Sequence, residues 1–265
     1  MSPMHVTARL RRSLRDRGIL GSLKHYAVRG YRIIRPHRLV PHPFDVEHGV
    51  HTTAFIEGSR LGTGHAHDLY VVSYYASPPS VLRLSIDAWR STLSPSDPSL
   101  EGYTFFDIGA GMGRTVMTAS LYPFERIVGI EMNHGLTEQG RRNIDIWLRT
   151  HRECNQIELT TCDATEFPWP SMPLLIYMFN PFEAPVLMQL VRTLDQALTQ
   201  GAGPIDLVYI HPTAKSVLEA PPSVHLRAST ICYLSDADGA ADLFSDPHGA
   251  APCYECRIYR LSHVS

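Results

Sequence analysis

Short apolar runs and amphipathic segments alternate along the chain from residue 103 onward. The apolar runs have the length of β-strands, and the segments between them repeat apolar residues at the three- and four-residue intervals of a helix. Such alternation is typical of βαβ units, which build a parallel sheet with right-handed crossovers. The predicted strands are 103–108, 126–131, 157–162, 174–179 and 205–211, and the predicted helices are 113–121, 134–150 and 184–199.

Two later apolar runs, at residues 224–234 and 253–261, are separated by a polar loop rich in Gly and Asp. This spacing predicts a pair of antiparallel strands. Asn133 stands directly before the helix at 134–150, where its side chain can accept from the first turn as an N-cap. We therefore predict an α/β fold with a doubly wound, mostly parallel sheet and helices on both faces over residues 103–265.

The chain before residue 103 follows a different pattern. Apolar residues among the arginines of residues 1–38 predict a helical extension, and three prolines between positions 36 and 43 interrupt it. A second helix is predicted at 81–93, with Ser80 as its N-cap. The predicted organisation is a basic N-terminal arm at 1–38, a leader or cap segment at 39–102, and the sheet domain at 103–265.

Charge is distributed unevenly between the arm and the rest of the chain. The formal net charge is −2, yet residues 1–38 contain ten Lys or Arg and one acid, a net +9, so the remainder carries −11. A basic arm can bind a polyanion, but the acidic body of its own chain is the favoured partner. Because we find no helix-turn-helix pattern and no basic surface interleaved with aromatic residues, nucleic acid is not the predicted partner.

The chain contains no run of about 18 apolar residues, so no membrane span is predicted. Its five cysteines are an odd, scattered set, which favours reduced thiols and a cytoplasmic location over a disulfide framework. His65-x-His67-Asp68 can form half of a metal site, because imidazole and carboxylate are both metal ligands. No third ligand is evident from the spacing, so no metal is predicted.

Three glycines follow the first strand of the alternating region, in the arrangement Asp107-x-Gly109-x-Gly111-x-Gly113. Glycines at the carboxyl end of a strand allow a ligand to approach the backbone closely. A dinucleotide fingerprint would need Gly at position 114, where this chain has Arg114, and no GKS or GKT follows. The spacing therefore argues against a nicotinamide dinucleotide and against an NAD-dependent oxidoreductase.

Suitable polar groups also follow the next strands. Glu131 lies 18 residues after Gly113, roughly the separation of an acid that binds ribose hydroxyls. Asp163 and Ala164 follow the third strand, where an acid can accept from an adenine amino group, and Asn180-Pro181-Phe182 follow the fourth. Since the carboxyl ends of parallel strands share one edge of the sheet, these loops are expected to form a single site.

Taken together, these motifs resemble those of the class I S-adenosylmethionine-dependent methyltransferases. The resemblance implies a seven-stranded Rossmann-like sheet with a reversed strand near the C-terminus, and S-adenosylmethionine as the cofactor. It implies that the glycine loop surrounds the methionine and ribose of the cofactor. It assigns the remaining cofactor contacts to Asp107 for the amino group, Glu131 for the ribose, and Asp163 with Ala164 for the adenine.

The acceptor side is less clearly marked in the sequence. Asn180-Pro181-Phe182 is similar to the (Asn/Asp)-Pro-Pro-(Tyr/Phe) loop of amino-methylating enzymes, with one proline missing, and can equally be a turn that closes a strand. His211 ends a strand and is a candidate general base. Residues 44–53 and the following Tyr-Tyr pair resemble the leader of some bacterial methyltransferases of this class, in which Tyr75 would line the pocket.

The resulting hypothesis is methyl transfer to a small-molecule or peptide acceptor, at nitrogen or oxygen. Two alternatives remain open from the sequence. The first is a non-catalytic S-adenosylmethionine-binding regulator or partner protein, and the second is a protein-lysine methyltransferase. The sequence predicts neither the acceptor nor the oligomeric state.

Overall fold

The computed structural model describes residues 40–201, 203–241 and 253–262. The predicted basic helical arm at 1–38 lies outside these residues. The strands are β1 Phe55–Ile56, β2 Tyr74–Tyr75, β3 Thr104–Ile108, β4 Arg126–Glu131, β5 Ile157–Thr161, β6 Leu174–Phe179, β7 Ile205–Ile210, β8 Val224–Tyr233 and β9 Cys253–Leu261. The α-helices are α1 Pro43–His48, α2 Pro79–Arg90, α3 Arg114–Ala119, α4 His134–Trp147, α5 Ala184–Thr199, α6 Lys215–Glu219 and α7 Asp236–Ala241.

Seven of these strands form one sheet, in the order β5-β4-β3-β6-β7-β9-β8. The first five strands in that order are parallel to one another. β9 runs antiparallel between β7 and β8, so the late apolar runs form the expected antiparallel pair. The predicted fold class, a doubly wound sheet with a reversed strand near the C-terminus, is confirmed.

Helices cover both faces of the sheet because its central strands are apolar on both sides. Neighbouring residues of β3 illustrate this, since Phe105 packs into one buried cluster and Phe106 into the other. The first cluster includes apolar side chains of α2, α3 and α4, and the second includes those of α5 and α6. Strands buried on both faces are expected in parallel sheets, where crossovers place helices on either side.

The two predicted helix caps had different outcomes. Asn133 caps α4 as expected, because its side chain accepts from the Leu136 backbone N–H. Ser80 is not a cap: α2 already begins at Pro79, and Pro78 occupies the N-cap position. Proline is favoured in the first helical turn, since its fixed φ suits the helix and its missing N–H would have no partner there. Ser80 instead binds α7, where Asp238 accepts from its backbone N–H at 2.7 Å.

A buried ion pair joins the cap segment, residues 40–102, to the start of α3. The guanidinium of Arg114 lies 3.5 Å from the carboxylate of Asp45, and both side chains are almost fully buried. Thr52 bridges them, because its hydroxyl donates to Asp45 and accepts from Nε of Arg114 at 2.7 Å. Burial alone would raise the pKa of Asp45, but the hydrogen bond from Thr52 and the charge of Arg114 hold it below its usual value.

In the part of the chain that the structure describes, no helix has both the length and the apolar character needed to cross a membrane.

We expect Arg114→Leu to lower the free energy of unfolding by about 3–5 kcal/mol, because it leaves the Asp45 carboxylate buried without a counter-charge. Urea denaturation followed by circular dichroism measures this change. Arg126→Leu is the matched control, since Arg126 pairs with Glu158 where both side chains are about half exposed, and such pairs contribute at most about 1 kcal/mol. Equal effects of the two substitutions would contradict a structural role for the buried pair.

Candidate functional site

A cleft that is open to solvent lies at the carboxyl edge of the parallel strands. The loops after β3, β4, β5 and β6 form its floor, and the cap segment forms the opposite wall. Of the residues predicted from the sequence, the cleft is lined by Tyr75, Asp107, Gly109, Glu131, Asp163, Ala164, Pro181 and Phe182. Gly111, Gly113, Asn180 and His211 are not among its lining residues.

Asp107 is a buried carboxylate with one unsatisfied oxygen. It is the penultimate residue of β3, two residues before Gly109, and is only 3% exposed. Its Oδ2 atom has no hydrogen-bond partner among the described residues. Burial raises the pKa of Asp107 to about 8, the charge of Glu131 adds to the effect, and a hydrogen bond from Thr115 partly opposes it. A cationic group in the cleft would satisfy this oxygen and favour the ionised carboxylate.

Glu131 is held in a fixed position by backbone donors of two loops. Its Oε2 accepts from the N–H of Gly111 at 2.9 Å, and its Oε1 accepts from the N–H of Asn133 at 2.8 Å. Burial raises the pKa of Glu131 although these bonds oppose the shift. Each carboxylate oxygen accepts one of these bonds and retains a further lone pair, so a ligand in the cleft can still donate to either oxygen.

The glycine loop is packed against groups of its own chain. Gly109 and Gly111 both have positive φ angles, of 77° and 54°. A Cβ atom at Gly109 would lie 2.7 Å from Cβ of Pro181, and one at Gly111 would lie 2.2 Å from the ring of Tyr74. The absence of side chains at Gly109 and Gly111 therefore lets Pro181 and Tyr74 pack against the glycine loop, in addition to leaving room for a ligand. Gly113, with a φ of 85°, is the N-cap of α3.

Tyr74 is a site residue that the sequence did not single out. Its ring packs over Gly111, and its hydroxyl donates to the carbonyl of Thr52 at 2.7 Å. The Tyr74-Tyr75 pair indicated from the sequence that an aromatic ring lines the pocket. In a strand of two residues, however, the alternation of side chains does not show which of the two rings faces the glycine loop.

Asp163 is bound by the cap segment. Its Oδ1 accepts from the Thr165 N–H at 2.8 Å, and its Oδ2 lies 2.5 Å from Nδ1 of His67. Burial would raise the pKa of Asp163, yet the bonds from Thr165 and the charge of His67 bring it below its usual value. Ala164 begins a short 3₁₀ turn at the same place. His67 lies 96 residues from Asp163 in sequence, which is why sequence spacing did not reveal the contact.

The predicted acceptor loop is engaged by its own chain. Asn180 has a φ of 46°, and its Oδ1 accepts from the hydroxyls of Tyr209 at 3.0 Å and Thr213 at 2.7 Å. The Pro181 carbonyl accepts from the N–H of Val72 at 3.3 Å. Phe182 forms an isolated β-bridge with the cap segment and lines the cleft.

His211 lies outside the cleft. It follows β7 with a φ of 52°, its side chain is exposed, and its ring centroid is 6.2 Å from that of Tyr254. The catalytic roles predicted for Asn180, Pro181, Phe182 and His211 stay predictions.

The cleft has a charged half and an apolar half. The carboxylates of Asp107, Glu131 and Asp163 lie at or just beyond the carboxyl ends of β3, β4 and β5, which are neighbours in the sheet. The region after β6, on the other side of β3, is lined by apolar side chains together with two serine hydroxyls. Those residues are Val71, Val72, Ser73, Ser77, Phe179, Phe182 and Val186.

Comparisons with known proteins give matches among solved structures alone. No protein-family profile matches the chain, and no curated protein matches it. The chain is similar to TrmN from Thermus thermophilus, with 15% identity and a TM-score of 0.43 over 69% of this chain and 49% of that one. The chain thus spans about half the length of TrmN.

Two further structures are similar at the same level. Magnesium protoporphyrin IX methyltransferase (ChlM) from Synechocystis PCC 6803, with bound SAM, has 9% identity and a TM-score of 0.45, over 69% of this chain and 80% of that one. Precorrin-6y C5,15-methyltransferase from Geobacter metallireducens GS-15 has 18% identity and a TM-score of 0.43, over 69% of this chain and 86% of that one. Matches at these identities and TM-scores assign neither an activity nor an acceptor to this chain.

We expect the ligand-free Asp107→Asn variant to be more stable than the ligand-free wild type. The difference in stability should grow as the pH rises from about 4 to about 8. Because the folded pKa of about 8 exceeds the usual value of 3.8, the folded state binds more protons than the unfolded state in this window, and the wild type loses stability with rising pH. Melting temperatures of both proteins between pH 5 and 9 measure the difference, with Asp145→Asn on the exposed face of α4 as the control. A difference that stays constant over this range would contradict the prediction.

Proposed function

We propose that this chain is a class I S-adenosylmethionine-dependent methyltransferase. The observation that carries the proposal is the buried, unsatisfied carboxylate oxygen of Asp107 in a cleft that Glu131 and Asp163 also line. S-adenosylmethionine bears an ammonium group and a sulfonium, and a cation of this kind would satisfy that oxygen.

The charged half of the cleft fits the cofactor from one end to the other. Asp107 would hold the amino group, Glu131 the ribose hydroxyls, and Asp163 with Ala164 the adenine. The three acids lie at the carboxyl ends of adjacent strands, in the order that an extended cofactor lying across the strand ends requires. When bound, the cofactor supplies a methyl group that its sulfonium has already activated.

The acceptor would lie in the apolar half, next to β6. Its walls offer aromatic and aliphatic side chains with the hydroxyls of Ser73 and Ser77. The protein's contribution would be to align the acceptor atom with the methyl group and to exclude water. We propose a small-molecule or peptide acceptor methylated at nitrogen or oxygen, with no base supplied by the apolar walls.

The proposed roles of Asn180 and His211 each require a change in their present contacts or orientation. For Asn180 to hold a target nitrogen through its side-chain oxygen, that oxygen would have to accept a third hydrogen bond or release the hydroxyls of Tyr209 and Thr213. For His211 to act as the base, its exposed side chain would have to turn toward the cleft. The cytoplasmic location stays a prediction.

The non-catalytic alternative has one observation in its favour. The Asn180 side-chain oxygen and the Pro181 carbonyl are both engaged within the chain, as they would be in a protein that binds the cofactor without using an acceptor loop. A protein-lysine acceptor is a special case of the peptide acceptor. Nucleic acid is included as an outcome of the transfer experiment, because an RNA methyltransferase from Salinibacter ruber is among the structurally similar proteins.

We expect S-adenosylmethionine to bind one site per chain and Glu131→Ala to weaken binding by about 10- to 100-fold, the range for losing hydrogen bonds to a charged group. Isothermal titration calorimetry measures both. Glu138→Ala is the control, because its side chain is half exposed on α4. Absence of binding to the wild type, or equal binding by Glu131→Ala, would rule out the proposed cofactor site.

We expect the purified chain to transfer labelled methyl groups from S-adenosylmethionine to an acceptor in a cell extract, and Phe182→Ala to reduce transfer more than cofactor binding. Separating the extract into small molecules, protein and RNA before counting shows which class receives the label. Label in the small-molecule or protein fraction supports the proposed acceptor, and label confined to RNA contradicts it. Cofactor binding without transfer to any fraction would favour the non-catalytic alternative.

A further inference from the structure

A second cluster of ligand-type side chains lies at the rim of the cleft, where the cap segment meets the end of β5. Nδ1 of His65 and Nδ1 of His67 lie 3.4 Å and 2.5 Å from the same oxygen, Oδ2 of Asp163. In the described part of the chain, this is the one group of three or more His, Cys, Asp or Glu residues whose ligand atoms all lie within 4.8 Å of one another. The fold thus supplies the third partner that the sequence spacing of His65-x-His67 did not show.

Internal hydrogen bonds hold the loop that carries the two histidines in the ligand-free protein. Asp68 accepts from the N–H groups of Thr63 and Gly64, both at 2.8 Å, and from the Thr63 hydroxyl at 2.9 Å. His65 is the N-cap of a short 3₁₀ turn from Ala66 to Leu69 that contains His67, and Nδ1 of each histidine lies near Asp163. A site of this kind loses little conformational entropy when a ligand binds, because its side chains are already placed.

The geometry points to a binding site for a divalent transition-metal ion of the zinc class, with His65, His67 and Asp163 as its ligands. Zinc bound tetrahedrally at its usual distances to nitrogen and oxygen separates its ligand atoms by about 3.3 Å. The separation between His65 and Asp163 already has this value, and that between His67 and Asp163 must widen by under about 1 Å. Two imidazoles and a carboxylate are ligands for zinc, whereas magnesium and calcium prefer oxygen ligands alone.

Metal binding replaces contacts that the ligand side chains make in the ligand-free protein. Nδ1 of His65 accepts from the His67 backbone N–H at 3.2 Å, and the ion displaces that bond. Nδ1 of His67 gives up its contact with Asp163 and turns its lone pair to the ion, so it carries no hydrogen when the metal is bound. Three protein ligands leave one coordination position for water. The bound ion then links the cap segment directly to the end of β5.

Zinc titration of the full chain tests this site, and it does not depend on the proposed function. Untagged protein is stripped with a chelator and titrated with ZnCl₂ by calorimetry. We expect one site per chain that His65→Gln and His67→Gln each weaken by at least roughly tenfold, since removing even a group that only orients a ligand costs that much. His134→Gln, whose side chain is 70% exposed on α4, should leave it unchanged. Absence of a site, or a site insensitive to both variants, overturns the proposal.

Two further measurements distinguish loss of this site from misfolding and from zinc bound at a thiol. The side chain of His65 is 37% exposed, so we expect His65→Gln to fold. This variant then tests the site even if His67→Gln does not fold. Cys253 is an exposed free thiol that can also bind zinc, and Cys253→Ser should leave the site intact. With CoCl₂ as a spectroscopic probe, absorption typical of nitrogen and oxygen ligands supports the assignment. A sulfur-to-cobalt charge-transfer band that Cys253→Ser abolishes overturns it.

One consequence rests on the proposed function. Asp163 is assigned there to the adenine, so a zinc ion on its Oδ2 should weaken S-adenosylmethionine binding. Titration of the cofactor with and without ZnCl₂ should show this loss in the wild type and a smaller loss in His65→Gln. A chain that binds zinc as expected but never binds the cofactor refutes the proposed function and leaves the metal site standing.

Discussion

The pairing of Arg114 with Asp45 is the interaction on which the architecture of the cleft depends. Arg114 follows the glycine loop directly, and Asp45 belongs to the first helix of the cap segment. Two charges so far from solvent are stable only if each finds its partner, and the Thr52 hydroxyl completes the arrangement. The floor of the cleft is held by apolar packing of the sheet. This polar contact joins the opposite wall to the start of α3, and Tyr74 and His67 add contacts of their own to Gly111 and Asp163.

The two halves of the cleft match two different physical tasks. Three carboxylates at adjacent strand ends would bind a large polar, cationic molecule through directed hydrogen bonds. The apolar half would hold a partner largely through shape and exclusion of water. The separation follows from the sheet order, because β3, β4 and β5 carry the acids at their carboxyl ends and are neighbours, whereas β6 lies on the side of β3 away from β4. In this parallel sheet, the order of the strands therefore determines which part of the cleft is charged and which part is apolar.

The sheet and its helices could be predicted closely, because most of the strands are short, local apolar runs that the sequence itself delimits. The starts of β4 and β6 fall at the predicted residues, as does the whole of α5. The cap contacts could not be predicted, because they join side chains such as His67 and Asp163 that have no pattern in common. Ser80 failed as a helix cap for a local reason, since two prolines before it begin the helix earlier. Asn180 and His211 follow predicted strands, but position after a strand does not determine whether a side chain enters the cleft.

The insertion of β9 between β7 and β8 has a consequence for how the chain reaches its native state. Among the described residues, β8 pairs with β9 alone, so it has no place in the sheet until residues 253–261 are available. During synthesis the chain emerges from its N-terminal side, and β8 therefore leaves the ribosome before the strand that must separate it from β7. Until then, β7 exposes an unpaired backbone edge that can pair with other chains. The last strand of this sheet is thus a candidate for the step that limits productive folding and for the period of greatest risk of aggregation.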